Sequence, residues 1–123
     1  MEALAIGSKQ VEGNSCVGVT VPSDLPVECN PYLTETVEAS NMFDRLDILC
    51  NMSDIIVALP GYLGTFNEIM MAATLNYITD ENKRNKKAIF VSKKPWMPIW
   101  ETMCSELNVG GLLSKFQHSI VHL

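Results

Sequence analysis

The chain has 123 residues and a net charge of −5, with 47% hydrophobic and 19% charged residues. This suits one globular domain that buries a core without disulfides, and the acidic balance argues against a nucleic-acid binder, which presents a basic face. No apolar run reaches the ~18 residues that span a membrane, and residues 1–13 lack a secretory signal's basic-then-apolar order, so a cytoplasmic protein is expected.

Ala3, Leu4, Ile6 and Gly7 belong to a short opening helix that ends near Gly13. Cys16 to Val21 alternates β-branched and small residues up to Pro22 and reads as a strand. Ser23 to Pro31 is proline-rich loop, and Thr34 to Ala39 a short edge strand. From Asn41 to Asn51, Met42, Leu46, Leu49 and Cys50 share one helical face. Asp54 to Leu59 is then a continuous apolar run, as expected of a central parallel strand covered on both faces.

Pro60 to Gly64 reads as a tight turn, and Thr65 to Ile78 as a helix with Phe66, Ile69, Met70, Ala73 and Tyr77 inward. Lys87 to Ser92 is a strand. Pro95 to Leu107 is a proline-started helix with Trp96, Ile99, Trp100 and Met103 inward. Trp96, Met97, Trp100 and Met103 read as core rather than as an interface, because helical spacing explains most of the group. Gly110-Gly111 breaks that helix. Leu112 to Phe116 is a short helix and Ser119 to Leu123 a last strand. Strands alternating with helices mean an α/β fold with a mostly parallel sheet, whose ligand sites lie at the carboxyl ends of the strands.

The remaining chemistry-bearing residues are sparse. Cys16, Cys29, Cys50 and Cys104 fit no zinc spacing and read as small buried apolar side chains in a reducing compartment. His118 and His122 read as tail residues, so no metal site is expected. Lys83-Arg84, Lys86-Lys87 and Lys93-Lys94 form an interrupted cluster, read as a solvated connection.

The segment Pro60-Gly61-Tyr62-Leu63-Gly64-Thr65-Phe66-Asn67-Glu68 stands apart. A strand, a glycine turn and a helix start together make an anion site, because the first helical amides lack internal partners and the dipole is positive there. Glycines allow positive φ and close phosphate approach, and Thr65 adds a hydroxyl. The same residues also read as a capping box, with Thr65 as N-cap and Glu68 reaching back to it, which needs no ligand. Spacing alone leaves both readings open.

This nonapeptide resembles the Pro-Gly-Gly-x-Gly-Thr-x-x-Glu signature of the LONELY GUY family, matching it at eight of nine positions if the variable ones count. Tyr62 replaces the second glycine. The family consists of cytokinin riboside 5′-monophosphate phosphoribohydrolases, often labelled lysine decarboxylases, with a Rossmann-like three-layer fold. Met42-Phe43-Asp44-Arg45 is similar to its Met-x-x-Arg-Lys stretch, with Leu46 at the lysine position. The resemblance extends to the opening helix and to Val17-Gly18-Val19, and so covers nearly the whole chain.

It implies that Arg45 and Glu68 form a catalytic pair and that Pro60, Gly61, Tyr62, Leu63, Gly64 and Thr65 bind the nucleotide phosphate. For Arg45 the plainer reading is a surface helix salt bridge. Tyr62 either crowds the phosphate or stacks on base or ribose. The implied ligand is an AMP-type nucleotide, the implied assembly a homodimer, and no cofactor, nucleic acid or membrane is expected. The family also opens on a strand and a Gly-Gly-Gly-x-x-Gly-Leu-Met loop, to whose methionine Met1 corresponds. The chain is therefore expected to be a single, N-terminally truncated domain over residues 1–123, weakly active or inactive alone. The alternatives to an enzyme are a nucleotide or cofactor carrier of the same fold and a domain kept for oligomer assembly. Pyridoxal-dependent lysine decarboxylation is not expected, since it needs a Schiff-base lysine and none lies in the loop or its preceding strand.

Overall fold

The computed structural model describes residues 2–21, 30–79, 87–107 and 120–122. Most of the Ser23 to Pro31 loop, Lys83 to Lys86, Gly110-Gly111, the helix expected from Leu112 to Phe116, Cys29 and His118 lie outside them. The chain divides into two compact units, Met1–Leu49 and Cys50–Leu123.

The first unit opens with helix α1 (Glu2–Lys9), which has Glu2 in its first turn and Lys9 in its last, matching the helix dipole. Gly13 follows at φ +82, a left-handed conformation that glycine adopts without a Cβ clash. Strands β1 (Val17–Thr20) and β2 (Glu35–Glu38) then pair in parallel, from Val17 opposite Glu35 to Thr20 opposite Glu38. The Thr34 hydroxyl ties their start together. It accepts from the Cys16 amide at 2.7 Å and donates to the Cys16 carbonyl at 3.0 Å.

Helix α2 (Met42–Met52) starts within one residue of its expected position. Its start is built by polar side chains. Asn41 Oδ1 accepts from the amides of Phe43 (2.9 Å) and Asp44 (3.0 Å), satisfying donors that a helix end leaves open. Asp44 reaches back and accepts from the Ser40 amide (2.7 Å) and hydroxyl (2.8 Å). Those two bonds, the amide's first, hold the Asp44 carboxyl below its usual range. Leu46 and Cys50 are buried, whereas Met42 is exposed. Of the other cysteines expected to be buried, Cys16 and Cys104 are only half-buried.

The second unit is a strand–helix–strand–helix–strand sequence: β3 (Ile55–Ala58), α3 (Leu63–Ile78), β4 (Ala88–Val91), α4 (Lys93–Glu106) and β5 (Ile120–His122). The strands pair in parallel in the order β3-β4-β5, with Ile55 opposite Ala88 and Ile89 opposite Ile120. The α/β architecture with parallel strands alternating with helices is therefore present as expected.

Its core joins Ala58 of β3, Ile69, Ala72 and Ala73 of α3, Ile89 and Val91 of β4, and Trp96 and Trp100 of α4. The two tryptophans are core, as helical spacing suggested, with Met103 packed against them. Ile99 departs from expectation and is exposed. It lies three residues from Trp96 and one from Trp100, on the margin of the buried stripe. On α3, Tyr77 is likewise exposed, and Asn76 takes the buried place at that end.

Strand β3 differs from the expected strand covered on both faces. Among the described residues it lies at one edge of its three-stranded sheet. Ile56 and Ala58 face the core, while Ile55 and Val57 are 60% and 54% exposed. Side chains alternate across a strand, so a helix on one side covers only every second residue.

Among the described residues, Asn76 is the buried polar one, 3% exposed. Its side chain makes a two-way clamp on Lys87, just before β4. The amide Nδ2 donates to the Lys87 carbonyl and Oδ1 accepts from the Lys87 amide, both at 2.8 Å. Lys87 Nζ in turn donates to the Ser53 carbonyl ahead of β3.

Two predictions follow from these contacts. Asn76→Ala leaves both Lys87 backbone groups unsatisfied in a half-buried place, and should destabilise by about 1–3 kcal/mol in urea unfolding. Asp44 sets a pH dependence. A carboxylate with a depressed folded pKa contributes fully above its unfolded value, about 3.9, and loses that contribution as pH falls through the lower folded value. The Ser40 amide resonance should therefore titrate with a midpoint below 3.9, and lose that transition in Asp44→Asn.

Candidate functional site

At the carboxyl end of β3 the chain passes through Leu59, Pro60 and Gly61 before α3 begins. The helix starts at Leu63, two residues earlier than expected. Tyr62 is its N-cap, with extended backbone (φ −107, ψ −157), and its carbonyl accepts from the Phe66 amide at 3.1 Å. No side chain caps this end. The capping-box reading is thus overturned: Thr65 lies inside the first turn and Glu68 in the second. Gly64 is helical rather than part of the turn, and neither Gly61 nor Gly64 has positive φ.

The two glycines differ. At Gly61 an added Cβ would collide with the Thr65 hydroxyl and lie 2.9 Å from Thr65 Cβ. The turn folds back over its own helix, and the bare α-carbon at 61 makes room for the threonine. At Gly64 an added Cβ would meet none of the described residues within 4 Å.

Gly64 and Glu68 are four apart on a helix, so they share a face. Glu68 is half-buried on that face. The opposite face carries Phe66, Ile69 and Ala73 into the core. An uncapped helix start, an open glycine surface and a carboxylate one turn along thus lie together at the carboxyl end of β3. Tyr62 and Leu63 flank them, 93% and 83% exposed.

Arg45 belongs to the first unit. Its Nε donates to the Val19 carbonyl of β1 at 3.0 Å. The arginine is thereby tied to the second half of β1 through a backbone contact. Glu68 and residues 60–65 belong to the second unit.

Sequence reasoning missed a contact beneath the turn. The Trp96 indole Nε1 donates to the Leu59 carbonyl at 2.9 Å. Its ring stacks on Phe66, with centroids 6.4 Å apart and planes at 19°. Helical spacing marks Trp96 as buried, but nothing in the sequence pairs it with a carbonyl 37 residues earlier. Among the described residues no group of three or more His, Cys, Asp or Glu could hold a metal ion. None of their helices is long and apolar enough to cross a membrane.

Parallel strands with a glycine-bearing turn into an uncapped helix define an α/β protein of the Rossmann-like kind. The whole chain, residues 1–123, matches the family described as possible lysine decarboxylase, and it belongs to that family, the one to which the LONELY GUY signature pointed. Family membership points to nucleotide binding. No curated protein matches the chain.

The glycines make opposite predictions. Gly61→Ala should destabilise by about 1–3 kcal/mol, since Thr65 must move, and Thr65→Ala in the same chain should recover part of the loss. Gly64→Ala should be neutral or stabilising by up to about 1 kcal/mol. Thermal unfolding of the three variants checks this; equal destabilisation at both glycines would contradict it.

Proposed function

We propose that this protein is a nucleoside 5′-monophosphate phosphoribohydrolase, releasing free base and ribose 5-phosphate from an AMP-type nucleotide. The observation that carries the reading is the open Gly64 surface at an uncapped helix start, with Glu68 on the same face, in a chain that belongs to this family along its whole length.

The chemistry follows from those groups. The amides at the start of α3 point out along a positive dipole and suit a phosphate dianion. Gly64 lets the phosphate approach, and Thr65 adds a hydroxyl donor. Hydrolysis breaks the bond from ribose C1′ to the base nitrogen, and positive charge develops on the ribose as it breaks. The Glu68 carboxylate stabilises that charge or takes a proton from the attacking water. Water delivers hydroxide to C1′, and the base leaves with the proton. The family resemblance gives Arg45 the role of binding phosphate or ribose oxygens, for which a guanidinium is suited. No cofactor enters this reaction, and the homodimer implied by the family resemblance belongs to the same reading.

Lysine decarboxylation is not part of this reading. A pyridoxal enzyme needs a lysine that forms a Schiff base in an enclosed site. Lys87 precedes β4, at the opposite end of the sheet from the Pro60 turn, and is bonded to Ser53. Lys93 and Lys94 follow β4 but are exposed.

The test is incubation of the purified chain with AMP and with isopentenyl-AMP, with chromatography for free base. Glu68→Gln should lower release by at least about 100-fold, as expected of a general acid–base group, while leaving nucleotide affinity within a few-fold. Binding without release in the unmodified chain would instead leave a carrier of the same fold, or a chain that needs the family's first glycine-rich loop for turnover.

A further inference from the structure

We propose that Trp96 is a positioning residue for the turn formed by residues 60–65. This rests on the reading of that turn as the phosphate site. The indole grips the turn from both sides. Its Nε1 donates at 2.9 Å to the carbonyl of Leu59, the last residue before Pro60. Its ring stacks on Phe66, the first residue after Thr65. The turn is thus held between two contacts to a single side chain, which is 5% exposed and fixed in the core beside Val91 and Trp100.

The geometry matters because helix amides bind an anion only where they already point at it, and displacement of the helix start relative to the strand end would splay them. Inside the turn, Gly61 and Thr65 set the local shape. Trp96 sets where that shape sits on the end of β3. A leucine or methionine of similar bulk could fill the core, but it could not donate to Leu59. Phenylalanine could keep the stack and lose the donor. The hydrogen bond is therefore separable from the packing.

The experiment compares the full chain with Trp96→Phe and Trp96→Leu. It reads amide hydrogen exchange by residue, global unfolding by circular dichroism, and steady-state hydrolysis of AMP. In Trp96→Phe, the amides of residues 61–66 should exchange about two- to tenfold faster, the effect of one net hydrogen bond, with residues 101–106 of α4 unchanged. KM for AMP should rise by a similar factor, with kcat within about twofold, because Glu68 lies a turn further into α3. Trp96→Leu should show the same local effect with a larger loss of global stability. Uniform acceleration across the second unit in Trp96→Phe would make the residue a core filler and overturn the proposal, as would local acceleration with unchanged KM. Where the unmodified chain does not bind AMP, the reading of the turn as a phosphate site fails, and the exchange pattern still decides whether Trp96 holds the turn.

Discussion

A parallel strand that feeds a helix must reverse the chain across its own sheet within a few residues, and the helix must land on the apolar face. In the second unit that reversal runs from Leu59 to Tyr62. Its placement depends on the bond from Trp96 Nε1 to the Leu59 carbonyl. The carbonyl sits where the strand ladder has just ended. Stacking of the same ring on Phe66 brings the first turns of α3 onto the core. From there Ile69, Ala72 and Ala73 follow down the helix, two of them alanines with no exposed surface. Small residues let the helix lie close on β3 and β4, which leaves the large volumes of the core to Ile89, Trp96 and Trp100.

The far end of α3 is fastened by a different kind of contact. Asn76 matches its amide to the donor and acceptor of Lys87, in the manner of one more rung of backbone pairing. A buried amide with both ends satisfied carries little desolvation cost, and it fixes register in a way that an apolar residue could not. A helix of 16 residues, roughly 24 Å long, is thus located at one end by an aromatic ring and at the other by a polar clamp. Both partners come from the chain that follows the helix, so the βαβ unit closes on itself.

The α/β class, the order of elements and most of their boundaries were legible because each rests on local pattern. The Asn41 to Asn51 helix and the strands around it need only hydrophobic spacing and breakers. The start of α3 was not legible. Thr65 and Glu68 have capping-box spacing, and nothing local says that Thr65 is already occupied in seating Gly61. Coverage of Asp54 to Leu59 was misread for a similar reason. An apolar run cannot say which of its faces a helix will cover, and here Ile55 and Val57 are on the other face. Asn76 was invisible as a clamp because its partner is the backbone of Lys87, which has no sequence signature. Of the candidate site, the family signature proposes the residues, while their geometry comes only from the fold.

The two glycines of that signature separate fold from function. Gly61 has a full internal explanation: a side chain there would displace Thr65, so the turn itself requires glycine. Gly64 has none. It occupies the first turn of a helix, where alanine would cost less conformational entropy, and a Cβ there would meet none of the described residues within 4 Å. A residue that costs stability and receives no packing in return is expected where something approaches from outside. The same argument applies to Tyr62, placed where the family has its second glycine. As N-cap it contributes no side-chain bond to the helix, and its ring is almost wholly in solvent. It leaves the helix start open above Gly64 and Thr65. On the proposed reading, then, phosphate meets the amides through the gap that Gly64 leaves, and the exposed ring of Tyr62 is free to stack on ribose or base.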